Sequence, residues 1–403
     1  MHIPTILIFL FILKTGGVIS QAYSEYITGT ILLLSFILLR NISIKIFFKL
    51  ISIITIFYIL FLINHTFSTF TYKIYIIFFY TSICATYFID KKELFVEVLE
   101  KVLYLILIHS FINYILVLFH LYIIPLPFES LSDKQSSVKT LYYIFNYYQP
   151  ISSFNGVFGL PRNNGLFWEP GVLQIYLNLY LYVKLFLKNE SLSKYTAFGI
   201  FSVFITQSTT GLIIMSIILF SKYFRLNKKN IVYILLLLLL FIYFIYPFIA
   251  EKLFGEKVGS GLVRLSDMYI AYKVFMDNFL FGYGFEYYTQ EVYTNLYIQY
   301  MYDLMNNLNI PISIINEIVR KKVGSTHDYL KIGAVYGVFI FFIFNYGWYN
   351  LAKQYSNSGY LFLFIIILFI SMEPVGTSPF NVFLAMYGFG IFTNRIKYYD
   401  RIE

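Results

Sequence analysis

Long apolar runs alternate along the chain with short polar turns, and the runs have the length of membrane-crossing helices. A bilayer core about 30 Å thick takes roughly 20 residues of helix. Runs of that kind recur near 3–20, 24–40, 45–64, 71–89, 102–124, 168–188, 195–209, 210–226, 230–250, 328–350, 358–373 and 378–394. The pattern predicts an all-α polytopic integral membrane protein with about 12 transmembrane helices, forming a single transmembrane domain over 1–403. Two stretches, 125–167 and 251–327, are too long and too polar to be turns between spans. The first run opens Met1-His2-Ile3, with no basic segment before it and no small-residue cleavage site after it. A retained helix is therefore expected, not a removed signal peptide.

Composition narrows this further. Residues are 59% hydrophobic and 13% charged, whereas a soluble surface carries about 25–35% charge. Disorder is excluded by the same apolar content. Cys84, in an apolar run, is the 1 cysteine, so neither an intramolecular disulfide nor a cysteine-built metal site is available. The net charge of +9 matters by location. With the N-terminus inside, Arg40, Lys45, Lys49, Lys91, Lys92, Lys101, Lys184, Lys188, Lys194, Lys222, Arg225, Lys228, Lys229, Lys353, Arg395, Lys397 and Arg401 are all cytoplasmic. The short outer turns hold only Lys14 and Lys73. The positive-inside rule then puts both termini in the cytoplasm and both long loops outside. A basic rim of this kind is membrane electrostatics and implies no nucleic acid partner.

Polar residues with chemical potential gather in three outer segments. Gly159-Leu160-Pro161-Arg162-Asn163-Asn164-Gly165-Leu166-Phe167-Trp168-Glu169-Pro170-Gly171 leads into a span. Glu169 before Pro170 sits where a helix dipole favours a carboxylate, so it reads equally as an N-cap and as an acid or base. Gly259-Ser260-Gly261-Leu262-Val263-Arg264-Leu265-Ser266-Asp267 opens an amphipathic stretch that closes at Phe281-Gly282-Tyr283-Gly284. Leu265, Met268, Tyr269, Tyr272, Phe275 and Met276 recur there at helical spacing, which suggests a helix on the outer surface. Taken alone, Arg264 and Asp267 read as an i, i+3 pair on a solvated face. Third is Gly324-Ser325-Thr326-His327-Asp328-Tyr329-Leu330-Lys331, at the start of another span. His2, His65, His109 and His120 are terminal, in a short turn, or within an apolar helix. His327 stands apart, beside Ser325, Thr326 and Asp328, and imidazole is the side chain best suited to proton transfer near neutral pH.

In order and spacing these segments resemble the bacterial O-antigen polymerases and the related O-antigen ligases. The first is similar to the family's Arg-x-x-Gly-x-Phe-x-x-Pro element, through Arg162, Gly165, Phe167 and Pro170. The second resembles a Gly-Arg…Gly-x-Gly element, through Arg264, Gly282 and Gly284. The third resembles a His-Asn-x-x-Leu element with spaced glycines, through His327, Leu330, Gly333 and Gly337. Thr206-Gln207-Ser208 resembles the Thr-x-Ser connection between two family helices. Asp328 stands where the family has Asn, and Leu262-Val263 separates Gly261 from Arg264.

The resemblance implies a GT-C-like helical architecture in the bacterial plasma (inner) membrane. It implies glycosyl transfer on the outer face, from a saccharide carried on polyprenyl pyrophosphate. In a polymerase, the acceptor is another lipid-linked repeat unit. Arg162 and Arg264 would bind the pyrophosphate and stabilise its departing charge. His327 or Glu169 would take the acceptor proton, with Asn164, Ser325 and Asp328 in support. Inversion at the anomeric carbon follows from direct displacement, and a chain-length regulator is a possible partner. No cofactor is implied. Neither long loop contains an Asp-x-Asp or Glu-x-Asp pair, and Glu129, Asp133, Glu286, Glu291 and Asp303 show no ligand spacing, so a metal-independent reaction is expected. Tyr142, Tyr143, Tyr147 and Tyr148 are candidates for stacking on sugar or for interfacial anchoring. Glu373 before Pro374 either lines a cavity or caps a helix. A flippase would need ionisable residues deep in several spans, and the apolar runs offer few. A six-plus-six transporter would put its main connection after the sixth span; the long loops instead follow the fifth and the ninth.

Overall fold

A computed structural model describes residues 2–64, 69–119, 124–127, 137–141, 145–148, 160–223, 258–284, 328–355, 359–373 and 375–399, with short helical pieces between 292 and 302. Every apolar run mapped contains described helix except 230–250, which lies outside the described residues. In chain order the helices are α1 (Ile3–Leu13), α2 (Val18–Ala22), α3 (Ser24–Leu38), α4 (Ile44–Asn64), α5 (Thr69–Phe88), α6 (Lys92–Leu118), α7 (Pro170–Tyr182), α8 (Lys194–Ile205), α9 (Thr209–Tyr223), α10 (Val258–Asp277), α11 (Asp328–Gln354), α12 (Gly359–Met372) and α13 (Pro379–Tyr399). Among the described residues, Lys92–Leu118, Pro170–Leu187 and Asp328–Gln354 are long and apolar enough to cross a membrane. They mark a helical membrane protein.

Three expected spans differ from what is observed, one of them, 328–350, being interrupted at Gly337. The run at 3–20 is not one helix: the chain leaves the helix after Leu13 and re-enters at Val18, with Gly16 at φ 138°. Lys14 caps the first piece and donates to Ser24 Oγ at 2.8 Å. The run at 102–124 starts earlier than its apolar residues suggest, at Lys92, because its charged first turns are held as helix. Lys101 pairs with Glu97 one turn back at 2.6 Å. The first long loop also contributes a small antiparallel sheet in the order β1 (Ile124–Pro127), β2 (Ser137–Leu141), β3 (Phe145–Tyr148). Ile124 lies opposite Thr140, and Val138 opposite Tyr148. Pro125 and Pro127 lack amide hydrogens, which suits β1 to its place at the edge.

The chain divides into two compact units, 1–34 with 91–250, and 35–90 with 251–403. In the first, α7 is the central helix, and every residue from Pro170 to Leu185 is buried. It packs against α6, α8 and α9, while α1 packs on α6. One end of this bundle is closed by charge. Lys184 pairs with Glu100 at 2.8 Å and Glu190 at 2.6 Å, and Lys188 also reaches Glu100. Lys222 donates to the Leu185 carbonyl at 2.6 Å and to Asn189 Oδ1 at 2.7 Å. Through these bonds α6, α9 and the end of α7 meet where α7 widens into a π turn over Val183–Leu187.

In the second unit, α11 packs on α13, α12 and α10, and α13 packs on α5. Lipid gives helices no hydrophobic reason to associate, so close backbone approach has to hold them. A methyl group at Gly388 would lie 1.8 Å from the Gly347 carbonyl oxygen, and one at Gly347 would lie 2.1 Å from that of Ala385. Rings fill the rest of this core: Trp348 meets Phe344 edge-on at 5.4 Å, and Phe383 stacks on Tyr387 at 6.0 Å.

Gly388→Ala is expected to destabilise the protein by about 1–3 kcal/mol, the usual cost of overpacking a tight contact. Gly29 is the control, because a methyl group added there would meet nothing within 4 Å. Gly29→Ala should leave the thermal midpoint in detergent unchanged or slightly raised, since alanine is the better helix former.

Candidate functional site

In the first unit the loop 160–169 is fixed at two places. Its outer end completes the break in the first apolar run. Val18 N donates to the Leu166 carbonyl at 3.0 Å, Trp168 N donates to that of Gly16 at 3.1 Å, and Gly17 bridges Phe167 antiparallel. Its middle is tied down by Asn163, which is completely buried. Asn163 N donates to the Ile205 carbonyl at 3.0 Å, Nδ2 donates to that of Ser110 at 3.0 Å, and Oδ1 accepts from Gly165 N at 3.0 Å. One asparagine therefore joins α6, the loop and the end of α8.

That arrangement brings together two motifs read separately in the sequence. Arg162, half-buried, donates through Nε to the Thr206 carbonyl at 3.2 Å. Gln207 Nε2 donates to the Leu160 carbonyl at 3.3 Å, from a residue held in the left-handed region at φ 49°. A non-glycine side chain there costs about 1–2 kcal/mol, which the surrounding bonds offset. Thr206 Oγ1 donates to the Val203 carbonyl at 2.7 Å and accepts from Ser208 N at 3.3 Å. Ser208 Oγ in turn accepts from Gly211 N at 3.4 Å, in the first turn of α9. Two buried residues of α7 continue this polar line. Asn178 Nδ2 bonds Gln174 Oε1 at 3.0 Å and the Gly211 carbonyl at 3.1 Å. Gln174 Nε2 and Asn178 Oδ1 are buried with no hydrogen-bond partner among the described residues.

Glu169 is the N-cap residue of α7 by its backbone, and its carbonyl accepts from Val172 N at 3.1 Å. Its carboxylate makes no capping bond. Asn164, named in support, is buried, and its Nδ2 donates to the Phe167 carbonyl at 2.9 Å. It shapes the turn.

In the second unit, two further motifs meet through their glycines. The helix α11 breaks at Gly337 (φ 74°, ψ −177°), and the segment after α10 fills the break. Val338 N donates to the Phe279 carbonyl at 2.8 Å, Tyr283 N to that of Ala334 at 2.7 Å, and Gly284 N to that of Val335 at 3.0 Å. A methyl at Gly282 would sit 2.3 Å from the Val335 oxygen, and one at Gly337 would sit 2.3 Å from that of Leu280. Only glycine at both positions allows the two backbones to touch.

Several sequence expectations change here. Asp267 is fully buried and Ser266 nearly so, so the reading of Arg264 and Asp267 as a pair on a solvated face is wrong for Asp267. The apolar residues of α10 divide between a buried and an exposed face. Ile270, Ala271, Val274 and Phe275 are buried, the Phe275 ring filling the space beside Gly333, while Met268, Tyr272 and Met276 point outward. Asp328 is buried as the first residue of α11. Its Oδ2 accepts from Gly376 N at 2.9 Å, and its Oδ1 lies 3.4 Å from Lys331 Nζ. That carboxylate ties α11 to the turn before α13. Glu373, in the same turn, is buried.

His327, Ser325, Pro374, Tyr142, Tyr143, Glu129, Asp133, Glu286, Glu291 and Asp303 lie outside the described residues, as do the side chains of Arg264, Tyr147 and Tyr148. Among the described residues no three His, Cys, Asp or Glu side chains gather as a metal site would need. Sequence reasoning missed Asn163, Gln174 and Asn178. The available signal was an amide at 174 and another at 178, one turn apart inside an otherwise apolar span. Comparison with protein-family models, with curated proteins and with solved structures gives no match.

Asn163→Ala leaves the Gly165 amide and the Ser110 carbonyl buried without their side-chain partner. It is expected to destabilise the protein by about 2–3 kcal/mol. Limited proteolysis should show earlier cleavage within 160–169 than in the wild type.

Proposed function

We propose that the protein is a glycan polymerase of the bacterial inner membrane, with about 12 spans, both termini cytoplasmic and the reaction on the outer face. The donor is an oligosaccharide on polyprenyl pyrophosphate, and the acceptor is another lipid-linked repeat unit. The acceptor hydroxyl oxygen attacks the anomeric carbon as the bond to pyrophosphate breaks. The leaving group departs with the electron pair, the hydroxyl proton passes to His327 or Glu169, and the anomeric configuration inverts. Negative charge grows on the leaving group, and fixed guanidinium groups are suited to meet it.

The observation that carries this reading is Arg162, whose Nε is bonded to the Thr206 carbonyl at 3.2 Å. A guanidinium held in this way is pre-oriented, so little side-chain entropy is lost when it meets a phosphate. The Glu169 carboxylate, not used as a cap, lies on the same loop. An O-antigen ligase shares this donor chemistry and differs only in its acceptor. A flippase or exporter is favoured by one specific observation: helices interrupted at Gly16 and Gly337, a feature of transporters as well.

Deleting the gene and resolving surface glycan on a gel separates the three. Polymerase loss leaves single repeat units on acceptor or carrier, ligase loss accumulates long polymer on the lipid carrier, and flippase loss traps unpolymerised units inside. Arg162→Ala, Arg264→Ala and His327→Ala are each expected to insert normally and to lose polymer. The loss expected is about 10²–10³-fold in rate, typical of removing one charge-stabilising group. Wild-type chain lengths in all three variants would overturn the site assignment.

A further inference from the structure

The end of α10 borders a pocket to which, among the described residues, the motifs contribute only Gly282. Met276, Asp277, Asn278, Phe279, Leu280 and Phe281 line about 440 Å³, within the roughly 300–1,000 Å³ range of ligand sites. Its wall is rigid, because the segment behind it is the one bonded into the break of α11. Gly282 N donates to the Asn278 carbonyl at 2.8 Å, and Val338 N donates to that of Phe279 at 2.8 Å. Sites built on such fixed backbone hold their side chains in place.

The lining chemistry is mixed. Asp277 is oriented by the Tyr300 hydroxyl, which donates to Oδ2 at 2.5 Å. Asn278 follows it directly, and its Nδ2 donates to the Val274 carbonyl at 3.1 Å. Phe279 and Leu280 are about half exposed beside them. A carboxylate and an amide next to phenyl rings suit a neutral ring bearing both hydroxyls and a C–H face. The hydroxyls donate to the carboxylate and exchange hydrogen bonds with the amide, while the C–H face lies on the aromatic surface. An acyl chain would bury Asp277 with no bond in return, at a cost of several kcal/mol. An anionic ligand would meet the carboxylate, and the described lining residues include no cation to offset it.

We propose that this cavity is a saccharide-binding subsite for an uncharged sugar, with Asp277 and Asn278 bonding its hydroxyls and Phe279 packing on its ring. Its identification as the acceptor position rests on the glycan-transfer reading above; the binding chemistry does not.

The test uses the full-length protein in lipid nanodiscs, because maltoside detergents would compete. Saturation-transfer NMR is run with glucose, galactose, N-acetylglucosamine, lactose and cellobiose as probes, and a spin-labelled fatty acid tests for a lipid tail. At least one sugar is expected to bind in the millimolar range. Asp277→Asn and Phe279→Ala should each weaken that binding about tenfold or more, equivalent to about 1.4 kcal/mol. Tyr300→Phe, which leaves the carboxylate in place without its orienting bond, should weaken it less. No binding by any probe sugar, or variants that bind like the wild type, overturns the subsite. Fatty-acid binding lost in Phe279→Ala, without sugar binding, overturns it in favour of a lipid groove. Polymer length in cells separates the two readings. Wild-type polymer from both binding-deficient variants overturns the acceptor assignment and leaves the polymerase reading standing. Sugar binding in a protein whose deletion leaves surface glycan unchanged overturns the polymerase reading and leaves the subsite standing.

Discussion

Within an apolar surround, each backbone amide and carbonyl needs a partner, and that requirement organises both units. A helix satisfies it internally until it breaks. At Gly16–Gly17 and again at Gly337 it breaks, and in each case another segment supplies the missing bonds. The replacement segment in the first unit is Leu166–Trp168. In the second it is Phe279–Gly284. Buried backbone polar groups are almost always paired, so both segments are held in place by what they complete.

The consequence for chemistry is positional. Because Leu166–Trp168 is bonded to the broken first run, the preceding turn has little freedom, and Asn163 removes most of what is left. Arg162 then projects from a turn fixed at both sides, with Nε already committed to Thr206. Glu169 follows at the far end of the same pinned turn, at the mouth of α7. In the second unit the same logic places the lining of the cavity after α10: Met276 to Phe281 cannot swing away while Phe279 and Tyr283 bond across the helix break.

Some of this was readable in advance, for identifiable reasons. The apolar runs located nearly all described helices because burial in lipid demands continuous hydrophobicity, a one-dimensional property. Gly282, Gly284, Gly333 and Gly337 were singled out as motif positions by resemblance alone, and in the structure they are where backbone or ring comes close. What they came close to was invisible. Asp328 read as a neighbour of His327, and nothing in its spacing told that its Oδ2 bonds an amide 48 residues away. Asp267 read as surface charge and is buried. Spacing also did not tell which residues of the α10 stripe turn inward: Phe275 does so beside Gly333, where a methyl group would meet its ring.

Hydrophobic run length and the positions of charged residues are local quantities, and from them the sequence alone determined a helical membrane protein, while the breaks at Gly16–Gly17 and Gly337 read as continuous helix. Tertiary structure decided which irregular segments pair, that Arg162 is anchored to Thr206 while Asp328 serves the fold, and that a mixed polar and aromatic cavity opens after α10. Those outcomes depend on hydrogen bonds between residues far apart in the chain, each made because a buried polar group without a partner costs more than the conformational freedom given up to supply one.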